Sequence, residues 1–125
     1  MKTKIAVLGS TGSIGQSLLK IISKDKQKFK IILLTADKNF KIILKQARKF
    51  DVRSIIITDK KFFQIAKSKN KNNKIKIYNN FENLKKIFPK KIDYVMSSIV
   101  GLDGLKPTFK IIKFTKKIAI ANKET

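Results

Sequence analysis

The chain has 125 residues, 42% of them hydrophobic, which suits one globular domain and lies outside the compositions that stay disordered. It contains no cysteine and no histidine, so disulfides, Cys/His zinc sites and Cys or His nucleophile–base pairs are all excluded. A net charge of +22 is the footprint expected of a nucleic-acid binder, but the positive charge is almost all lysine spread along the whole length. Arg48 and Arg53 are the only arginines, and arginine is the side chain favoured for bidentate phosphate and base recognition. Lysine enriched together with isoleucine and asparagine is what an AT-rich genome imposes, and we read the charge as compositional.

Taken in chain order, short β-branched runs alternate with longer amphipathic stretches. Met1 to Lys4 followed by Ile5-Ala6-Val7-Leu8 looks briefly like a secretory signal, but the apolar run stops at Gly9 with no cleavage site. We therefore expect a cytoplasmic N-terminus that enters a strand directly. Ile5 to Leu8 is continuously apolar, as a parallel strand covered on both faces requires. Ser13 to Ser23 is predicted helical, with Ile14, Leu18, Leu19, Ile21 and Ile22 as its apolar residues. A strand over 29–35, a helix over 40–50 and a strand over 52–58 follow. Asp59 sits where an N-cap belongs, before a helix over 60–67. Residues 68–74 are polar and turn-prone, and read as an exposed loop. Beyond them come a short strand over 74–78, a helix over 81–88 stopped by Pro89, a strand over 93–98, a helix over 105–113 and a strand over 117–121. No apolar run approaches the roughly 20 residues that cross a bilayer. The alternation predicts an α/β fold of Rossmann type: a doubly wound, mainly parallel sheet with helices on both faces. A complete domain of that kind would continue past Thr125, so the chain is expected to be cut short.

The first strand leads into Gly9-Ser10-Thr11-Gly12-Ser13-Ile14-Gly15, and a helix begins inside that segment. Gly9 suits the tight turn, Gly12 lets a pyrophosphate approach the backbone, and Gly15 lets the helix pack closely. The helix N-terminus then offers free N–H groups and positive dipole to phosphates, with the hydroxyls of Ser10, Thr11 and Ser13 as further donors. The spacing is G-x-x-G-x-x-G, a pattern found among NADP-preferring and extended Rossmann families. No Lys-Ser/Thr pair follows, which argues against a P-loop nucleotidase. At the end of the second strand, an acid accepts from a ribose 2′-OH whereas basic or polar donors suit a 2′-phosphate. Asp37, Lys38 and Asn39 supply both kinds, and charge alone does not decide between them. We read Lys38 and Asn39 as the 2′-phosphate donors, with Asp37 turned outward.

Two more segments fall at strand carboxyl ends, where open α/β sheets bind ligands: 97–108 (SSIVGLDGLKPT) and 119–125 (AIANKET). Alone, Asn122-Lys123-Glu124 would pass for a solvated turn. With GSTGSIG at 9–15, A-x-K-N at 36–39 and IVG-x-x-GL-x-PT at 99–108, the chain resembles the 1-deoxy-D-xylulose 5-phosphate reductoisomerase family across essentially its whole length. The resemblance implies an NADPH-binding domain over 1–125 of an oxidoreductase that isomerises and reduces 1-deoxy-D-xylulose 5-phosphate to 2-C-methyl-D-erythritol 4-phosphate in non-mevalonate isoprenoid biosynthesis. It implies that Gly9, Thr11, Gly12, Ser13, Ile14 and Gly15 form the cofactor loop, with Lys38 and Asn39 at the 2′-phosphate. Asn122 and Glu124 are implied near the nicotinamide end, and Lys123 on the phosphorylated sugar substrate. Asp37 departs from the small residue expected there. The family's divalent metal, Mg or Mn, is held beyond the NKE segment. The chain alone is accordingly expected to contain no catalytic or metal-ligating residue and to be inactive, the full-length enzyme being a cytoplasmic homodimer without membrane or specific nucleic-acid partners. Two alternatives share the fold: another NAD(P)-dependent oxidoreductase domain, which leaves the NKE block unexplained, and a basic nucleic-acid-binding protein on a Rossmann scaffold.

Overall fold

A computed structural model describes residues 2–71, 74–99 and 105–120. Its strands are β1 (Thr3–Leu8), β2 (Phe29–Ala36), β3 (Ser54–Ile57), β4 (Lys76–Tyr78), β5 (Ile92–Ser97) and β6 (Thr115–Ile120). Its helices are α1 (Ser13–Ser23), α2 (Phe40–Lys49), α3 (Lys60–Lys69), α4 (Leu84–Ile87) and α5 (Leu105–Ile111). The strands form one sheet in the order β4-β3-β2-β1-β5-β6, with every neighbouring pair parallel. The chain winds outward from β1 to β4, then returns across the sheet to place β5 on the other side of β1. This reversal beside β1 opens a crevice at the strands' carboxyl ends.

The apolar runs divide between the two faces because successive side chains alternate. Ile5 and Val7 join Leu19 of α1, Ile43 and Leu44 of α2 and Ala66 of α3 on one face. Ala6 and Leu8 join Leu84 and Ile87 of α4 and Ile111 of α5 on the other. In β2 the alternation slips: Ile5 pairs with Ile31 but Ala6 with Leu33, so Ile32 is an extra residue. This bulge returns Leu34 and Ala36 to the face of Ile31 while Leu33 stays on the other.

The predicted elements are all present, and the differences lie at their ends. The strand expected over 52–58 is shorter because residues 50–53 complete the turn after α2. Asp51 takes a positive φ of 54° and the Val52 N–H donates to the Ala47 carbonyl at 2.8 Å. The helix expected over 81–88 contracts to Leu84–Ile87, since the Asn80 side chain accepts from the Glu82 N–H and holds a turn there. Ser68 and Lys69, expected in a loop, extend α3; the Asp59 N-cap accepts from the Phe62 N–H at 3.1 Å as anticipated. Ile21, grouped by sequence with the apolar face of α1, is 64% exposed. Among the described residues, no helix is long and apolar enough to cross a membrane.

At the amino edge of the sheet, the Asp93 carboxylate accepts from the Lys4 N–H at 2.8 Å and pairs with the Lys116 ammonium at 3.3 Å. It thereby ties β5 to both of its neighbours. The Lys4 N–H, assisted by Lys116, holds Asp93 below the ordinary carboxylate range despite some desolvation. A depressed carboxyl contributes stability above its unfolded pKa and loses it as pH falls through the folded value. Urea denaturation from pH 6 down to about pH 2 should therefore show a shallower acid loss of stability in Asp93→Asn than in wild type. By the same measurement, Leu19→Ala, at a site 3% exposed, should cost about 3 kcal/mol. Ile21→Ala should stay within about 0.5 kcal/mol of wild type.

Candidate functional site

The site is built where β1 ends. Gly9 takes a φ of +75°, a conformation that a side chain would strain, and a Cβ there would also press on Ser98 and Ile99 at 3.1 Å. The Gly9 N–H donates to Thr35 Oγ1 at 3.0 Å and the Ser10 N–H to the Thr35 carbonyl at 2.9 Å, so the end of β2 fixes the turn. From the other side, Ser98 Oγ lies 2.8 Å from the carbonyl oxygens of both Leu8 and Gly9. The Ser10 carbonyl accepts from Gln46 Nε2 at 2.9 Å, and the Thr11 carbonyl from Gln16 Nε2 at 2.7 Å. The Gly12 carbonyl accepts from the Gln16 N–H at 2.9 Å.

Every carbonyl from Leu8 to Gly12 is thus an acceptor within the protein. The N–H groups of Thr11, Ser13 and Ile14 have no such partner among the described residues. Gly12 is the N-cap of the eleven-residue α1, and no side chain caps that helix. The sequence offered the Ser10 hydroxyl as a further phosphate donor, and the structure corrects this: Ser10 is fully buried, and its hydroxyl donates to Gln46 Oε1 at 2.8 Å instead of facing a ligand.

The glycines differ in what they permit. A Cβ on Gly15 would stand 2.3 Å from the Gly9 carbonyl oxygen and 2.6 Å from the Ser10 Cα. Gly15 therefore lets α1 sit on the loop's own backbone, a more local contact than packing on the sheet. A Cβ on Gly12 would meet only the Gly9 carbonyl oxygen, at 3.7 Å, and would otherwise project into open space. That space is a cleft of about 530 Å³ bounded by Gly9, Thr11 and Gly12, by Asp37 and Thr58 beyond β2 and β3, and by Phe81, Ile99 and Pro107. Gly9, Thr11 and Gly12 of the loop, Ala36 and Asp37 at the end of β2, and Ile99 and Pro107, far apart in sequence, meet around it. Such a cradle, with bare N–H donors and room only a glycine leaves open, fits a pyrophosphate. A second cavity of about 460 Å³ opens at the opposite edge among Lys4, Lys30, Arg53 and Lys86, away from the N-terminus of α1.

Of the residues singled out by sequence, Gly9, Thr11, Gly12, Ser13, Ile14 and Gly15 gather at the loop. Lys38 and Asn39 are exposed just after β2, and Asn39 Oδ1 caps α2 by accepting from the Ile42 N–H at 3.2 Å. Only its amide nitrogen is left to donate outward. Asp37 does not turn away: it lines the cleft, and its carboxylate accepts from Thr58 Oγ1 at 2.7 Å. Asn122, Lys123 and Glu124 lie outside the described residues. Among the described residues no three His, Cys, Asp or Glu side chains gather where they could hold a metal ion. Sequence reasoning missed Thr35, Gln46, Gln16 and Thr58, and gave Ser98 no role of its own within 97–108; apart from Gln16, which reaches back to Thr11, their partners are distant in the chain.

Sheet order, crevice and uncapped helix define a Rossmann-type α/β domain of the dinucleotide-binding class. The family model of 1-deoxy-D-xylulose 5-phosphate reductoisomerase matches residues 5–125, and the chain belongs to that family. The reductoisomerase of Pelagibacter ubique (strain HTCC1062) is 58% identical over 124 residues, covering 98% of this chain and 32% of that protein. The solved structure of the Zymomonas mobilis enzyme in complex with NADPH superposes with a TM-score of 0.86 at 29% identity, covering 98% of this chain and 32% of that one. A DOX-P reductoisomerase in complex with NADPH, fosmidomycin and magnesium gives a TM-score of 0.83 at 29% identity, covering 96% and 30%. The chain thus spans about a third of the length of these relatives.

The two glutamines that hold the loop differ in burial, which allows a comparison. Gln46→Leu leaves the buried Ser10 carbonyl and hydroxyl short of partners and should lower stability by about 2 kcal/mol in urea denaturation. Gln16→Leu, at an exposed position where water can replace the lost bond, should cost less than half as much.

Proposed function

We propose that this chain is the NADPH-binding portion of a 1-deoxy-D-xylulose 5-phosphate reductoisomerase, which isomerises and reduces its phosphorylated sugar to 2-C-methyl-D-erythritol 4-phosphate. The observation that carries the reading is the uncapped N-terminus of α1 opening onto the Gly12 cradle at the sheet's reversal point. Family membership and the NADPH complex of a relative support it.

In this reading the N–H groups of Thr11, Ser13 and Ile14 bind the pyrophosphate, with the Ser13 hydroxyl beside them and the α1 dipole favouring its charge. Gly9 and Gly15 act by shaping the loop and admitting the helix. Lys38 and the Asn39 amide bind the 2′-phosphate. Asn122 and Glu124 orient the nicotinamide end, and the Lys123 ammonium binds the substrate and stabilises developing negative charge. NADPH, when bound, supplies the hydride for the reduction. The substrate-phosphate pocket and the divalent metal belong to a following catalytic domain, so the 125-residue chain holds cofactor without turning over substrate. The whole enzyme is read as a cytoplasmic homodimer.

Fluorescence titration should show NADPH binding to the wild-type chain more tightly than NADH. Gly12→Val should abolish that binding, because its side chain stands where the pyrophosphate lies. The new Cβ meets only an ordinary contact, so unfolding free energy should change by no more than about 1 kcal/mol. Unchanged NADPH affinity in the variant would remove the glycine loop from the site.

A further inference from the structure

We propose that Thr58 is a specificity-determining residue, which takes up the Asp37 carboxylate and so keeps the adenosine 2′ position open to a phosphate. The inference rests on the reading of the cleft as an NADPH site. It concerns a conflict within this chain: an acid stands at the position where Rossmann proteins choose between cofactors, beside a lysine that favours the opposite choice.

Asp37 directly follows β2 and is exposed at the cleft. A carboxylate free to rotate there would accept both ribose hydroxyl protons of a cofactor lacking the 2′-phosphate, and would repel one that carries it. Here one of its oxygens, Oδ1, accepts from Thr58 Oγ1 at 2.7 Å. A bond from a hydroxyl to an ionised carboxylate is among the stronger neutral–charged pairings, and it selects one side-chain rotamer.

The position of Thr58 is itself fixed by the sheet. The backbone pairing of β2 with β3 continues beyond both strands, with the Thr58 N–H donating to the Ala36 carbonyl at 3.1 Å and the Asp59 N–H to the Asp37 carbonyl at 3.0 Å. From beyond β4, Asn79 Nδ2 donates to the carbonyls of Ile57 at 2.9 Å and Thr58 at 3.1 Å. Three strand ends thus place a hydroxyl beside the acid and draw the carboxylate toward β3. Lys38 is exposed directly after Asp37, and the Asn39 amide nitrogen is left to donate because its oxygen caps α2.

Dissociation constants for NADPH and NADH, measured by fluorescence titration, test this in wild type, Thr58→Val, Thr58→Ser, Asp37→Ala and the Asp37→Ala/Thr58→Val double variant. Thr58→Val keeps the side-chain shape, removes the donor, and should lower the preference for NADPH over NADH by about five- to tenfold, the worth of about one hydrogen bond at an exposed position. Thr58→Ser keeps the hydroxyl and should keep the preference. Asp37→Ala should raise the preference, and adding Thr58→Val to it should change nothing further. A Thr58→Val effect that weakens both cofactors alike, or that persists undiminished without Asp37, overturns the assignment. Failure of the wild-type chain to bind either cofactor overturns the functional reading, and this inference with it. Binding with a preference that no Thr58 variant moves overturns this inference alone.

Discussion

The carbonyl oxygens from Leu8 to Gly12 all accept hydrogen bonds from the protein itself. The acceptors of the turn are all engaged within the protein, while the N–H groups of Thr11, Ser13 and Ile14, at the first turn of α1, have no such partner among the described residues. The shape of the loop is therefore a property of what lies behind it. Thr35 on β2, Gln46 on α2, Gln16 on α1 and Ser98 beyond β5 each hold one part of the turn. The reversal of strand order beside β1 brings these four elements to one point. Among the described residues, no buried side-chain polar atom is left without a partner, so the polar framework adds little desolvation cost.

The same loop shows three uses of glycine governed by different constraints. Gly9 supplies a backbone angle, Gly15 supplies closeness between α1 and the turn, and Gly12 supplies vacant volume facing the cleft. Only the last leaves open space at the cleft. The first two set the path of the turn and the approach of α1 to it.

The abundant positive charge has a diffuse structural setting. The ammonium groups of Lys26 and Lys49 lie over the Phe50 ring, that of Lys61 over Phe62, Lys67 over Phe63 and Lys69 over Phe40, so part of the lysine charge sits on aromatic faces. Ion pairs join Lys28 to Asp25, Lys110 to Glu82 and Lys116 to Asp93, each at the surface where such pairs stabilise little. A broad positive field of this kind favours approach of any polyanion, dinucleotides included, while the choice of ligand is left to the cleft.

The sequence alone determined the order of elements, because β-branched runs bounded by turns can be buried only as strands and the amphipathic stretches between them only as covering helices. It also located the glycine loop, since a strand-to-helix turn at this spacing has few other uses, and its motif blocks pointed to the family. Local pattern could not show that Ser10 faces inward, because Ser10 looks the same as its neighbours until Gln46 arrives from another helix. Nor could it place Ile21 in solvent, assign the extra residue of β2, or reveal that Thr58 holds Asp37 from 21 positions away in the chain. Those outcomes depend on which strands become neighbours. That was decided only when the chain folded back across β1, bringing together hydrogen-bonding groups that no short-range periodicity relates.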